Sequence, residues 1–350
     1  MMHYIQSPIK IQFELSTVCN ALCLGCVRTD ASFTQSKFSI PSGSYIDIKQ
    51  IFKLLKSDAM KTINILEFCG TIDEPLVHPN FLELLEGIDK RYTIYIHTNG
   101  GLRTPDYFSK LASILKQFNE YDMLFSFDGL EDTNHLYRQN VSWNKCMENA
   151  QAFIDAGGNA IWQFIVFPWN QHQVIEARSL ATDLGFKKFA VRHDRSFIKD
   201  WPIEKINEQK EKAPLTDYVT SKNIYKRVAG KENNFIQCNN KSKGMYFVSY
   251  DAKLWPCCFL PNTLLGVDKT IVDELKNRIF NNYGEDFNSL HKYSADAILK
   301  HEFYTNDLVA SWENELGIGK TDKILRCVET CAKGSTPIGD FKWTNLTENK

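Results

Sequence analysis

An α/β fold is the class this sequence predicts, on three observations. Period-two strands alternate with helical stretches from residue 9 to residue 193, glycines fall where those helical stretches should end, and both patterns stop near residue 199. In the first strand, over 9–16, Ile9, Ile11, Phe13 and Leu15 take one face and Lys10, Gln12, Glu14 and Ser16 the other. Further strands are predicted over 63–69, 92–98, 123–128, 161–167 and 188–193, with helices near 46–58, 79–89, 104–118, 142–156 and 171–184. Gly157-Gly158 and Gly185 sit at expected helix C-caps. Strand-then-helix units in series give a parallel sheet with right-handed crossovers. Closed or nearly closed, that sheet is a partial (β/α)6 TIM-like barrel whose chemistry sits on the loops after the strand C-termini. An open doubly wound sheet is the alternative.

The chain has 350 residues, and domains of about 150 residues make two units the expectation. The barrel unit is assigned to 1–198. A Lys-, Glu- and Asn-rich connector follows over 199–234. The remainder, 235–350, is a smaller irregular unit that holds five of the ten cysteines and reads as organised around something other than an apolar core.

An apolar fraction of 43% and a charged fraction of 24% are those of a globular chain able to bury a sizeable core. Forty-one basic against 42 acidic side chains leave a net charge of −1, which argues against a protein held to nucleic acid or an anionic membrane by bulk charge. No apolar run approaches the ~18 residues that span a bilayer, and no basic-then-apolar leader opens the chain. The cysteines are too sparse for a disulfide scaffold and mostly fall in tight groups, which points to metal in a reducing compartment and a cytoplasmic protein.

The strongest signal is Cys19-Asn-Ala-Leu-Cys23-Leu-Gly-Cys26, directly after the first strand. A fully ligated iron–sulfur cube takes four cysteines, so three leave one iron open for a substrate. A structural zinc or cluster site is the bland alternative for these spacings. Three more segments follow at strand ends: Cys69-Gly70-Thr71-Ile72-Asp73-Glu74-Pro75, Thr98-Asn99-Gly100 and Ser126-Phe127-Asp128-Gly129, the last followed by Arg138. With the cysteine loop they resemble the radical S-adenosylmethionine (radical SAM) superfamily, with its C-x3-C-x2-C loop, "GGEP" segment, T-N-G and S-x-D-G.

The resemblance implies an enzyme. Cys19, Cys23 and Cys26 hold a [4Fe-4S] cluster whose open iron chelates SAM, and one electron splits the sulfonium to a 5′-deoxyadenosyl radical that abstracts hydrogen from a substrate. It also implies cofactor contacts from Gly70, Thr71, Asp73, Glu74, Asn99, Ser126, Asp128 and Arg138, and an electron donor such as flavodoxin or ferredoxin. Two departures are visible: Gly25 stands where the family has a bulky residue, and Thr71 replaces the second glycine, with two extra residues before Glu74.

The later cysteines are Cys238, the pair Cys257-Cys258, and Cys327-Val-Glu-Thr-Cys331. They resemble the SPASM/twitch extension of the same superfamily, with Ala252 in place of its hairpin glycine. Four thiolates close one auxiliary [4Fe-4S] cluster, and Cys238, Cys257, Cys327 and Cys331 are the expected ligands, with Cys258 spare. A four-cysteine zinc site satisfies the same donors. Many SPASM-bearing relatives act on peptides or proteins, so a peptide or protein side chain is the leading substrate class. A sugar or other small metabolite is the second, and a non-catalytic metal-binding scaffold is the reading from a different class. Only about eight residues precede the first strand, which weakens the expectation of a leader-peptide-binding domain.

Three other features are candidates for the site. Glu14 points into the barrel, to orient substrate or backbone, or as a buried carboxylate satisfied by hydrogen bonds. The run His193-Asp194-Arg195 follows the sixth strand as a substrate contact or a solvated loop. Asn99 and Gln163 are candidates to line the lumen, while Cys69, Cys146 and the tryptophans read as core.

Overall fold

A computed structural model of the chain describes residues 4–29 (apart from 6, 25 and 27), 43–193, 236–264, 269–313, 324–331 and 342–345. Gly25, the expected connector 199–234 and the pair Asp194 and Arg195 lie outside the described residues.

Six parallel strands carry the fold: β1 (Lys10–Phe13), β2 (Ile65–Phe68), β3 (Thr93–Thr98), β4 (Glu120–Ser126), β5 (Ala160–Val166) and β6 (Lys188–His193). Between them run α1 (Ile48–Leu55), α2 (Phe81–Gly87), α3 (Pro105–Leu115), the single turn α4 (Asn134–Tyr137), α5 (Trp143–Asp155) and α6 (Val174–Asp183). Sequence signals fix where the longer helices begin. The side chains of Asp47, Thr104 and Ser142 each accept a hydrogen bond from a first-turn amide of α1, α3 and α5. At the other ends of α5 and α6, Gly157 and Gly185 take positive φ, as C-cap glycines do.

The period-two reading of the strands holds in the packing. Ile11 and Phe13 of β1, Leu66 and Phe68 of β2, and Ile94 and Ile96 of β3 are fully buried against the helices. Each such side chain contributes about 1.5–3 kcal/mol of burial free energy. The opposite face of the same strands carries Lys10, Gln12, Glu67, Tyr95 and His97.

The sheet is open. Its order is β8-β7-β1-β2-β3-β4-β5-β6-β9, with β7 (Met245–Val248) parallel to β1, β8 (Leu254–Trp255) antiparallel to β7, and β9 (Lys342–Asn345) antiparallel to β6. The expected partial (β/α)6 barrel is therefore present, and strands from beyond residue 235 extend it at both edges. Nor is this later part without an apolar core. Trp255, Phe287, Phe303 and Tyr304 are buried and belong to one cluster with the β1–β6 core. The expectation of a unit organised without apolar packing is corrected by that aromatic cluster.

The first strand is shorter than the 9–16 expected. Beyond Phe13 the backbone leaves the β2 ladder: Glu14 N donates to Val248 O at 2.9 Å, and Leu15 N and Ser16 N donate to Asp73 Oδ2 at 2.9 and 3.0 Å. Among the described residues no helix is long and apolar enough to cross a membrane.

Candidate active site

The C-terminal ends of β1 to β4 converge on one edge of the sheet, and each brings one of the sequence landmarks. The cysteine loop leaves β1. Its backbone is fastened to the segment after α4, with Leu22 N donating to Gln139 O at 2.9 Å and Leu24 N to Tyr137 O at 3.2 Å. Arg28 donates to Thr17 O and to Ile72 O, tying the far side of the loop to the end of β2. Cys23 is buried, while Cys19 and Cys26 are partly exposed. Burial pushes the Cys19 thiol up to about 12, helped by the Glu74 carboxylate. Burial also raises Cys23, against the pull of Arg138.

Two donors aim at these sulfurs, one from just after α4 and one from the end of β3. Arg138 Nη1 stands 3.6 Å from Cys23 Sγ, and Asn99 Nδ2 stands 3.9 Å from Cys19 Sγ. Each is itself held. Arg138 Nε donates to Asp128 Oδ2 at 2.7 Å, and the other carboxylate oxygen accepts from Ile165 N at 2.7 Å. Asn99 Nδ2 also donates to Asn20 Oδ1 at 2.8 Å, which couples the end of β3 to the cysteine loop. Arg138 and Asp128 thus form a buried ion pair, in which Asp128 is fully enclosed.

The segment after β2 is built around buried carboxylates. Glu14 Oε2 accepts from Thr71 N and Ile72 N at 3.1 and 3.2 Å, so it orients backbone, one of the two roles expected of it. Asp73 reaches back to Leu15 and Ser16, and Gly70 makes that possible: a Cβ there would lie 1.2 Å from Asp73 Oδ1. Glu74 accepts from Thr98 Oγ1 at 2.7 Å and from Asn99 N at 2.8 Å, bracing β3. Burial raises Glu14 to about 7 and holds Asp73 well above the ordinary carboxylate range, the Glu14 charge adding to it. The two carboxyls thus do not ionise together at neutral pH. Asp73 Oδ1 has no hydrogen-bond partner among the described residues. Ser126, at the end of β4, is partly exposed on the same edge.

One interior group escaped the sequence reading. Glu67 bonds Lys10 Nζ at 2.7 Å and His97 Nε2 at 3.1 Å across β1, β2 and β3. Burial opposes its charge, yet His97 and Lys10 hold it down at about 2. For His97 burial works against the cation, but Cys69 and Glu67 beside it hold the ring up at about 10. The available signal was three polar residues in the inward phase of neighbouring strands.

The later cysteines form a second site. Cys238, Cys257, Cys327 and Cys331 all line one pocket, together with Tyr4, Trp312 and Phe259, whereas Cys258 is not part of its wall. Burial raises the Cys258 thiol to about 12, with Cys69 and Glu14 adding to it. The Cys331 thiol hydrogen-bonds Cys238 and, with Tyr4 and the amides of Lys241 and Asn240 and against burial, lowers it to about 6. Among the described residues no three Cys, His, Asp or Glu side chains converge tightly enough for a single ion. In a cube each thiolate takes a different iron, so its ligands are spaced more widely than around one ion.

No protein-family model matches the chain, and no curated protein matches it. Solved structures do. SuiB of Streptococcus suis bound to the precursor peptide SuiA is 16% identical, with a TM-score of 0.51 over 75% of this chain and 61% of that one. anSMEcpe with bound AdoMet is 12% identical, with a TM-score of 0.51 over 97% of this chain and 93% of that one. anSMEcpe with AdoMet and the Cp18Cys peptide gives 13%, 0.52 and the same coverage. The chain spans about three-fifths of the length of the SuiB structure it matches. These likenesses define the fold: the chain shares the open, mostly parallel β/α architecture of SuiB and anSMEcpe.

Proposed function

We propose that the chain is a radical SAM enzyme acting on a peptide or protein side chain, with 1–198 as the catalytic core, 199–234 as connector and 235–350 as an auxiliary iron–sulfur domain. The observation that carries the reading is a three-cysteine loop leaving β1, beside Asn99 and Arg138, in a fold shared with AdoMet-bound proteins.

Cys19, Cys23 and Cys26 would hold a [4Fe-4S] cluster. Their surroundings suit thiolates: a guanidinium 3.6 Å from Cys23 Sγ, and the Ala21 amide 3.4 Å from Cys19 Sγ. Both thiols are raised by burial, so the charge of the bound iron would complete what Arg138 begins. When bound, the cluster and SAM supply one-electron cleavage of the sulfonium and a 5′-deoxyadenosyl radical able to take hydrogen from substrate.

The chain's own residues do the positioning. Gly70, Thr71, Asp73 and Glu74 form the shelf on which SAM would rest, stiffened from below by Glu14. Asn99, Ser126, Asp128 and Arg138 flank it. Of these, Asp73, Glu74 and Asp128 act by bracing backbone and Arg138, since their bonds run within the protein. The peptide assignment is supported by the peptide-bound neighbours SuiB and anSMEcpe. Cys238, Cys257, Cys327 and Cys331 would close an auxiliary [4Fe-4S] cluster in their shared pocket. Flavodoxin or ferredoxin is the class of electron donor.

The test follows hydrogen from its source. Reconstituted protein is incubated anaerobically with SAM, dithionite and either a uniformly deuterated peptide mixture or deuterated sugars. Deuterium in 5′-deoxyadenosine from the peptides alone is the expected result. Label from sugars alone overturns the peptide assignment, and no 5′-deoxyadenosine at all overturns the enzyme.

A further inference from the structure

We infer that Tyr4 tunes the second cysteine site, its hydroxyl donating a hydrogen bond to the Cys238 sulfur and raising the reduction potential of the cluster held there. The inference rests on the reading of that site as an iron–sulfur centre.

Tyr4 lies ahead of β1, six residues before Lys10, yet its side chain is buried, with only 2% exposed, in the pocket of the later cysteines. Its ring is wedged between Tyr246 at 5.9 Å and Trp312 at 6.0 Å, which fixes where the hydroxyl points. That oxygen sits 3.2 Å from Cys238 Sγ and 3.2 Å from the carbonyl of Pro256, the residue before Cys257.

A phenol has one proton and two neighbours here. While Cys238 is a thiol, its S–H can donate to the tyrosine oxygen, and the hydroxyl donates to Pro256 O. A ligating thiolate has no proton to give and would face the phenol's lone pairs. The hydroxyl then turns to the sulfur, because a charge-assisted bond outweighs a neutral one. Pro256 O is not abandoned by that turn, since Asn240 Nδ2 donates to it at 3.3 Å. The network is satisfied in both states.

The consequence is electrostatic. A donor dipole on a ligating sulfur stabilises the extra electron of the reduced cluster, and hydrogen bonds to sulfur are among the features that set such potentials. Tyr4 acts through Cys238, so it is a positioning residue rather than a catalytic one.

The measurement uses the full chain with Cys19, Cys23 and Cys26 changed to Ala, so that only the second site can be loaded. After anaerobic reconstitution, iron content and the one-electron midpoint potential are compared for Tyr4 and Tyr4→Phe. Equal iron is expected, with the potential lowered in the Phe variant by up to about tenfold in the reduction equilibrium, about 59 mV for one electron. A mono-fluorinated tyrosine at position 4, a stronger donor on the same ring, should shift it the opposite way, and this arm decides if the Phe variant loses its iron. Equal potentials in all forms overturn the inference. A parent protein that takes up zinc or no iron overturns the cluster reading beneath it.

Discussion

Arg138 joins two parts of the site that lie far apart in sequence: its Nε donates to Asp128 Oδ2 at 2.7 Å, and its Nη1 stands 3.6 Å from Cys23 Sγ. The carboxylate is fully buried and the guanidinium nearly so, at 0% and 16% exposure. One buried pair therefore aims a cation at a thiol that burial makes harder to ionise.

Removing the cation should be costly. Arg138→Ala strands the Asp128 charge, and a broken buried pair costs about 3–5 kcal/mol. Urea unfolding should register that loss. Arg138→Lys keeps the charge but loses the planar fork, and should fall between the two in stability and in iron retained at the first site.

The Glu14 carboxyl gives a pH signature. Its pKa is raised to about 7 in the folded protein, chiefly by burial, so the folded state holds its proton more tightly than the unfolded chain. Its contribution is fully present below the ordinary carboxylate range and is lost as pH rises through about 7. Glu14→Gln should flatten the decline in stability between pH 5 and 8. Thermal melts of both proteins across that range check the sign, and parallel curves would contradict it.

Gly70 is a site of steric rather than chemical constraint. A methyl there would lie 1.2 Å from Asp73 Oδ1, so Gly70→Ala must expel the Asp73 carboxylate and break its bonds to Leu15 and Ser16. A loss of about 1–3 kcal/mol is expected from such overpacking. SAM affinity, read by equilibrium dialysis, should fall with it.

Much of this was legible in the sequence, for identifiable reasons. The alternation of Ile11 and Phe13 with Lys10 and Gln12 carries the strand and its inward face, and Gly157 and Gly185 mark the ends of α5 and α6. The strand-end segments were legible because loops after parallel strands are local in sequence. Long-range partners were not. Nothing around Tyr4 announces that it fills a pocket with Cys238, and the Lys10–Glu67–His97 network depends on inter-strand register. The early end of β1 came from Asp73, 58 residues from Leu15, competing for backbone amides.

The most direct test is a single anaerobic assay on the reconstituted chain and on a variant with Cys19, Cys23 and Cys26 changed to Ala. The parent should bind about eight irons, four per cube, and release 5′-deoxyadenosine from SAM under dithionite. The variant should retain about four irons and release none. A colourless parent holding stoichiometric zinc, or a variant that still cleaves SAM, would contradict the account.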